Sequence, residues 1–200
     1  MRLFALLGAA AAFSLSACVA GPPPEAAVLN LDFSKCVAKP DIASARPLAA
    51  EQELVPVAVD KNSACLETPA GRATYVAFKL PASPALLDIF SLPNGTGNFL
   101  SPRAMLLDAD GVQLREIARD NFLFRANRLH AAVRQRPGEA YLVVTSDPAS
   151  IGQTSDRVSS HAVYTHTGYA MVTSGYDVKN LVLFAHNGSV GVATRPLPKP

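Results

Sequence analysis

Sixteen prolines are spread so widely along this 200-residue chain that few windows between them could hold a long helix. From Cys65 onward, the intervals carry short apolar runs bounded by turn residues at spacings of about 8–12, the pattern of an all-β sandwich or barrel. In Thr74–Leu80, Val76, Phe78 and Leu80 fall on one face and Tyr75 and Lys79 on the other. Leu86–Leu92 follows between Pro84 and Pro93. Ala104–Leu107 and Val112–Ile117 then flank Asp108-Ala109-Asp110-Gly111, where a glycine tolerant of left-handed backbone closes a tight turn. Pro137-Gly138 turns the chain into Tyr141–Thr145, rich in β-branched residues. Further strands are expected at Ala162–Thr165, Tyr169–Thr173, Leu181–His186 and Ser189–Ala193, joined at Thr167-Gly168 and by a hairpin at Asn187-Gly188. Two stretches are ambiguous. Asp120–Arg136 fits helical spacing at Leu129, Ala132 and Val133, but Leu129, Ala131 and Val133 alternate with His130, Ala132 and Arg134, and the strand reading is preferred. Leu48–Val55 could form a helical turn or two before Pro56, while Leu29, Leu31 and Phe33 alternate as a strand would.

The expected fold is therefore all-β, an antiparallel β-sandwich of short strands with little helix. Its expected span is residues 67–195, preceded by an irregular N-terminal segment at 29–66. Hydrophobic residues make up 49% of the chain, but 13 of them lie in the first 17 residues, MRLFALLGAAAAFSLSA. The remainder falls to about 46%, ordinary for a globular domain.

Those 17 residues read as an export signal. Arg2 is the charged start, Leu3–Phe13 is apolar throughout, and Ser14–Ala17 are mostly small. An apolar run of 11 residues is too short for the roughly 20 that a spanning helix needs. Leu15-Ser16-Ala17-Cys18 fits all four positions of the bacterial lipobox, which makes Cys18 the expected lipidation site; the alternative is a plain secretory signal with a coincidental cysteine. Acyl chains on Cys18 would anchor the protein stably, and Gly21-Pro22-Pro23-Pro24 makes residues 18–28 an extended tether. Val19 and Ala20, with no aspartate, resemble sorting to the outer membrane, hence an anchored protein at the periplasmic face.

With Cys18 assigned to lipid, Cys36 and Cys65 remain, and in an oxidising compartment an even remainder is most simply a disulfide. Two free thiols or a redox pair are the alternatives, and no CxxC spacing supports the latter. The formal net charge of +2 falls to +1 without Arg2, which offers nucleic acid no broad basic surface.

Motifs for catalysis are sparse. Asp108-x-Asp110-Gly111 departs from a calcium loop at Val112 and Gln113, and it reads as a turn. His161 and His166 are five apart, so a strand puts them on opposite faces, with no further metal ligand beside them. Gly-x-Ser-x-Gly, Gly-rich phosphate loops and paired carboxylates are absent. The expectation is a non-catalytic protein with no cofactor or metal. A hydrolase would require a Ser, His and acid brought together by the fold.

Between Arg103 and Arg136 lie seven arginines against four acids, interleaved with Phe122 and Phe124. Arginine with aromatics is the composition of binding surfaces for envelope proteins or anionic glycans. Arg115, Arg119, Phe122, Phe124, Arg125 and Arg128 are therefore the candidate binding surface. The competing account is a solvated sheet face whose arginines alternate with core residues.

Ser101-Pro102-Arg103-Ala104-Met105-Leu106-Leu107-Asp108, then Phe122, then Tyr141-Leu142-Val143-Val144-Thr145-Ser146, resemble the core of the maltose-operon periplasmic protein family. The segment His161–Gly168 followed by Ser189-Val190-Gly191-Val192 is similar to that family's close. The chain departs from the family in having less sequence between Thr145 and His161, and in its lipobox. The resemblance, over roughly residues 70–193, implies a non-enzymatic envelope protein associated with carbohydrate uptake, with no catalytic residues to transfer. A structural or assembly lipoprotein of a secretion or cell-surface apparatus is the alternative from a different class.

Overall fold

In the computed structural model the described residues are 33–93, 98–125, 127–166 and 168–197. The expected signal at 1–17, the lipidation site Cys18, the tether at 18–28 and the alternation at Leu29 and Leu31 lie outside them. Fourteen strands are described: β1 (Arg46–Pro47), β2 (Gln52–Val59), β3 (Ala64–Thr68), β4 (Gly71–Lys79), β5 (Ala85–Leu92), β6 (Asn98–Leu100), β7 (Pro102–Leu107), β8 (Gln113–Ile117), β9 (Leu123–Arg125), β10 (Arg128–Arg134), β11 (Tyr141–Ser146), β12 (Thr154–His166), β13 (Met171–Ala185) and β14 (Gly188–Pro196). Single 3₁₀ turns at Phe33–Lys35, Arg119–Asn121 and Pro148–Ser150 are the helical structure among the described residues, and no helix there is long and apolar enough to cross a membrane.

The first sheet runs β1-β4-β11-β7-β8, with β3 also on β4; the second runs β2-β14-β5-β10-β9 and is antiparallel throughout. A third sheet joins β12, β13 and β6. The all-β, largely antiparallel fold expected from the alternation is the one found. Phe78, Leu106, Leu142 and Val144 of the first sheet share one core with Leu87, Ile89, Leu129, Val190 and Val192 of the second. Each such buried aliphatic or aromatic side chain contributes about 1.5–3 kcal/mol relative to exposure.

The alternation of Val76, Phe78 and Leu80 toward the core holds, but the opposite face of β4 is not open to solvent. Tyr75 and Ala77 are buried in a second cluster with Leu66, Leu107 and Val143, and Ile42 and Ala45 from the N-terminal segment pack over it. The Tyr75 hydroxyl accepts a hydrogen bond from the Asp41 amide at 2.9 Å. From Phe33 on, the N-terminal segment covers part of the first sheet and supplies strands to both sheets. Cys36 and Cys65 meet as the expected disulfide, with Cα atoms 4.4 Å apart. Beside them Val37 pairs with Leu66.

Three local expectations are corrected. The helical turn proposed at Leu48–Val55 is replaced by β2 from Gln52. Its Pro56 is accommodated because β2 is an edge strand, where one side needs no donor. Asn187-Gly188 is not a hairpin: β13 belongs to the third sheet and β14 to the second, and the chain crosses between them there. Gly188 makes that crossing possible, since a Cβ on it would meet the Leu100 amide nitrogen at 2.7 Å. Strands are also not uniformly short. Tyr169–Thr173 and Leu181–His186, expected as two strands, fall largely within the 15-residue β13, which pairs with the 13-residue β12 from Thr154↔Leu183 to His166↔Met171. Leu183–Ala185 of β13 also pair with β6.

Candidate functional site

In β5 the side chains of Leu87, Ile89 and Ser91 are buried toward the core, which turns Asp88 and Phe90 to the outer face of the second sheet. In β10 Leu129, Ala131 and Val133 point inward, so Arg128, His130, Ala132 and Arg134 face outward. Register then aligns Phe90 with His130, His130 with Leu123, and Arg128 with Arg125. The Phe90 and His130 rings stack with centroids 4.7 Å apart, and the Arg128 guanidinium lies 4.5 Å from the Phe90 centroid. His130 Nε2 lies 2.8 Å from Asp88 Oδ1, and since a carboxylate only accepts, Nε2 carries the proton. Asp88 Oδ2 accepts from Arg195 Nε and Nη2 at 2.9 and 2.6 Å. A charged, aromatic strip thus crosses this face: Arg128, Phe90, His130, Asp88, Arg195. Asp88 is almost fully buried and its two partners hold the strip in place.

Of the six residues expected to form one surface, Arg125 and Arg128 belong to this face. The others are distributed elsewhere: Arg115 on β8 of the first sheet, Arg119 and Phe122 at the 3₁₀ turn before β9, and Phe124 on the core side of β9. Phe122 is 2% exposed and lies in the core, and Phe124 packs edge-on against Phe99 with centroids 5.5 Å apart. Neither is available as a surface aromatic. Arg119 lies over the Phe184 ring and donates from Nη1 to the Phe122 carbonyl at 3.0 Å. Burial lowers its pKa, against the pull of Asp120 and Asp147. Arg115 donates from Nε and Nη2 to the Glu139 carboxylate and from Nη2 to the Arg134 carbonyl at 2.7 Å.

Sequence reasoning missed Phe90, His130, Asp88 and Arg195. Asp88, a lone acid inside the apolar run Leu86–Leu92, is the signal that could have pointed there. A buried acid in a strand requires cationic partners on its neighbours.

A second polar group is internal. Ser146 Oγ accepts from the Thr74 amide at 3.1 Å and lies 2.8 Å from His186 Nδ1, while Thr74 Oγ1 donates to the His186 carbonyl at 2.6 Å. Burial lowers the His186 pKa. Ser146 has no solvent exposure, and its hydroxyl links β4 and β11 to the residue that follows β13. The Asp108 carboxylate accepts from the amides of Asp110 and Val112, closing the expected turn with Gly111 at φ +79°. His161 and His166 stand opposite Tyr176 and Met171 in β12. Among the described residues no three His, Cys, Asp or Glu side chains gather as a metal centre would need.

Comparison with protein-family models, with curated proteins and with solved structures returns no match.

Proposed function

We propose that this chain is a lipid-anchored, non-catalytic binding protein of the bacterial cell envelope, held through Cys18 in the outer membrane at its periplasmic face. The strip on the outer face of the second sheet is its glycan-binding surface. The observation that carries the reading is the stack of Arg128, Phe90 and His130, fixed from below by Asp88. Planar cationic and aromatic groups that are already ordered lose little side-chain entropy on binding, and guanidinium groups suit glycan hydroxyls and carboxylates. The Cys36–Cys65 pair supports export, because disulfides persist in oxidising compartments. The resemblance of Ser101–Asp108 and Tyr141–Ser146 to the maltose-operon periplasmic protein family makes carbohydrate uptake the associated process. Lipid at Cys18 and reach from residues 18–28 would raise the local concentration of the face at the membrane.

The test is a glycan array of maltodextrins and uronic-acid oligosaccharides, with native protein and the Arg125→Ala/Arg128→Ala double variant. Retention of a glycan class, reduced at least fivefold in the variant, supports the reading. No retention, or equal retention by both proteins, overturns it.

The β12–β13 hairpin favours a second reading, a structural or assembly lipoprotein. Tyr169, Met171 and Leu181 are exposed on it at 103%, 68% and 55%. Recovery of a protein partner from membranes by the lipidated protein, lost in Cys18→Ser, would favour assembly over glycan binding.

A further inference from the structure

The two sheets end on the same side of the sandwich, β8 at the margin of the first and β9–β10 at that of the second, and a cleft of about 700 Å³ lies between them. Ile117, Ala131 and Val133 contribute apolar wall, and Arg115, Arg134 and Arg136 contribute charge. β9 covers β10 from Arg128 to His130, and among the described residues no strand lies beside Ala131–Arg134 on that side.

The direction of the backbone groups along this open stretch follows from two bonds. The Gln135 amide donates to the Ala85 carbonyl at 2.9 Å, toward β5, whereas the Arg134 carbonyl accepts from Arg115, away from it. In a strand the groups alternate, so the N–H and C=O of Ala132 and the N–H of Arg134 face the cleft. Arg115 itself is fixed by the buried Glu139, and the cleft's acid, Glu116, is paired with Arg103. Arg134 and Arg136 are exposed, and among the described residues neither side chain has a carboxylate partner. The cleft therefore holds two uncompensated positive charges beside an unpaired strand edge.

We infer that this cleft binds an extended acidic peptide segment, which adds as a strand beside Ala132–Arg134 and sets its carboxylates against Arg134 and Arg136. The peptide would accept from the Ala132 and Arg134 amides and donate to the Ala132 carbonyl, the mode of recognition in which main-chain bonds supply affinity and alternate side chains supply selectivity. A small anion would use the arginines but leave the strand edge unpaired. The open edge is why a peptide is preferred. The cleft adjoins the outer-face strip, since Arg134 and Arg195 both stand opposite Leu86 in the register, but the two proposals rest on different residues and neither depends on the other.

The experiment is fluorescence anisotropy with a fluorescein-labelled, C-terminally amidated Val-Glu-Val-Glu-Val-Glu peptide and the full chain. The expected result is saturable binding that weakens with salt and drops at least tenfold in Arg134→Glu/Arg136→Glu. Both positions are exposed, so thermal melting should match the native protein. Two further probes are N-methylated at either the valines or the glutamates. Only the set whose amides face β10 should lose binding tenfold, because a strand pairs through every second residue. No saturable binding, equal binding by the charge-reversed variant, equal effects of the two N-methylated sets, or displacement by millimolar N-acetylglutamate or phosphate would each overturn strand addition.

Discussion

Glu139 is the most exposing point at which to test the packing of the two sheet margins. Its side chain is 1% exposed, accepts twice from Arg115, and accepts from the Arg136 amide at 2.8 Å. It therefore ties the turn before β11 to the edge strand β8. Glu139→Ala removes three bonds to a charged acceptor and strands a guanidinium that is 20% exposed on its side chain. Removing one partner of a buried pair costs about 3–5 kcal/mol, and since Arg115 keeps the Arg134 carbonyl and some water, the lower end applies. A loss of about 3 kcal/mol corresponds to a fall in Tm of roughly 6–12 °C for a domain of this size. Urea and thermal melts of Glu139→Ala, Arg115→Ala and the double variant provide the measurement. The double variant should lose clearly less than the sum of the singles, because each single change leaves its partner unpaired. Strict additivity, or a Glu139→Ala loss below about 1 kcal/mol, would refute a structural role for the pair.

Two further outcomes are expected. Replacing both Cys36 and Cys65 by alanine opens a loop with a sequence separation of 29, and the chain-entropy model gives a loss of about 3–4 kcal/mol. An unchanged urea midpoint in the variant, or in native protein under reducing agent, would contradict it. His186 has its pKa lowered by burial in the folded state, so the unfolded chain takes up the proton first as pH falls below the ordinary histidine value of about 6.5. Its effect on stability is absent above that pH and becomes a loss below it. Between pH 7 and 5 the native protein should lose more stability than His186→Gln, and parallel pH profiles would rule this out.

Local chemistry was legible in the chain. Asp108-x-x-Gly111 closes the turn that its residue types dictate, and Val76, Phe78 and Leu80 face the core as their period of two requires. The pairing of Cys36 with Cys65 was the simplest expectation once Cys18 was assigned to lipid, and it is the one found. A period of two, however, says which residues share a face and not what covers that face. Only the folded chain brings Ile42 and Ala45 over Tyr75, and only strand order makes β2 an edge that tolerates Pro56. The arginine-rich stretch shows the same division. Its composition was plain, but pairings with distant residues decided that Phe122 is core, that Arg115 is held by Glu139 24 positions away, and that Arg128 meets Phe90. The sequence alone determined most of the strands and the Asp108–Gly111 turn, because those depend on near neighbours, and the Cys36–Cys65 pair through the cysteines that remain once Cys18 is set aside for lipid. Tertiary structure decided which strand edge stays open among the described residues and which arginines there lack a carboxylate partner, because both depend on which strands end each sheet.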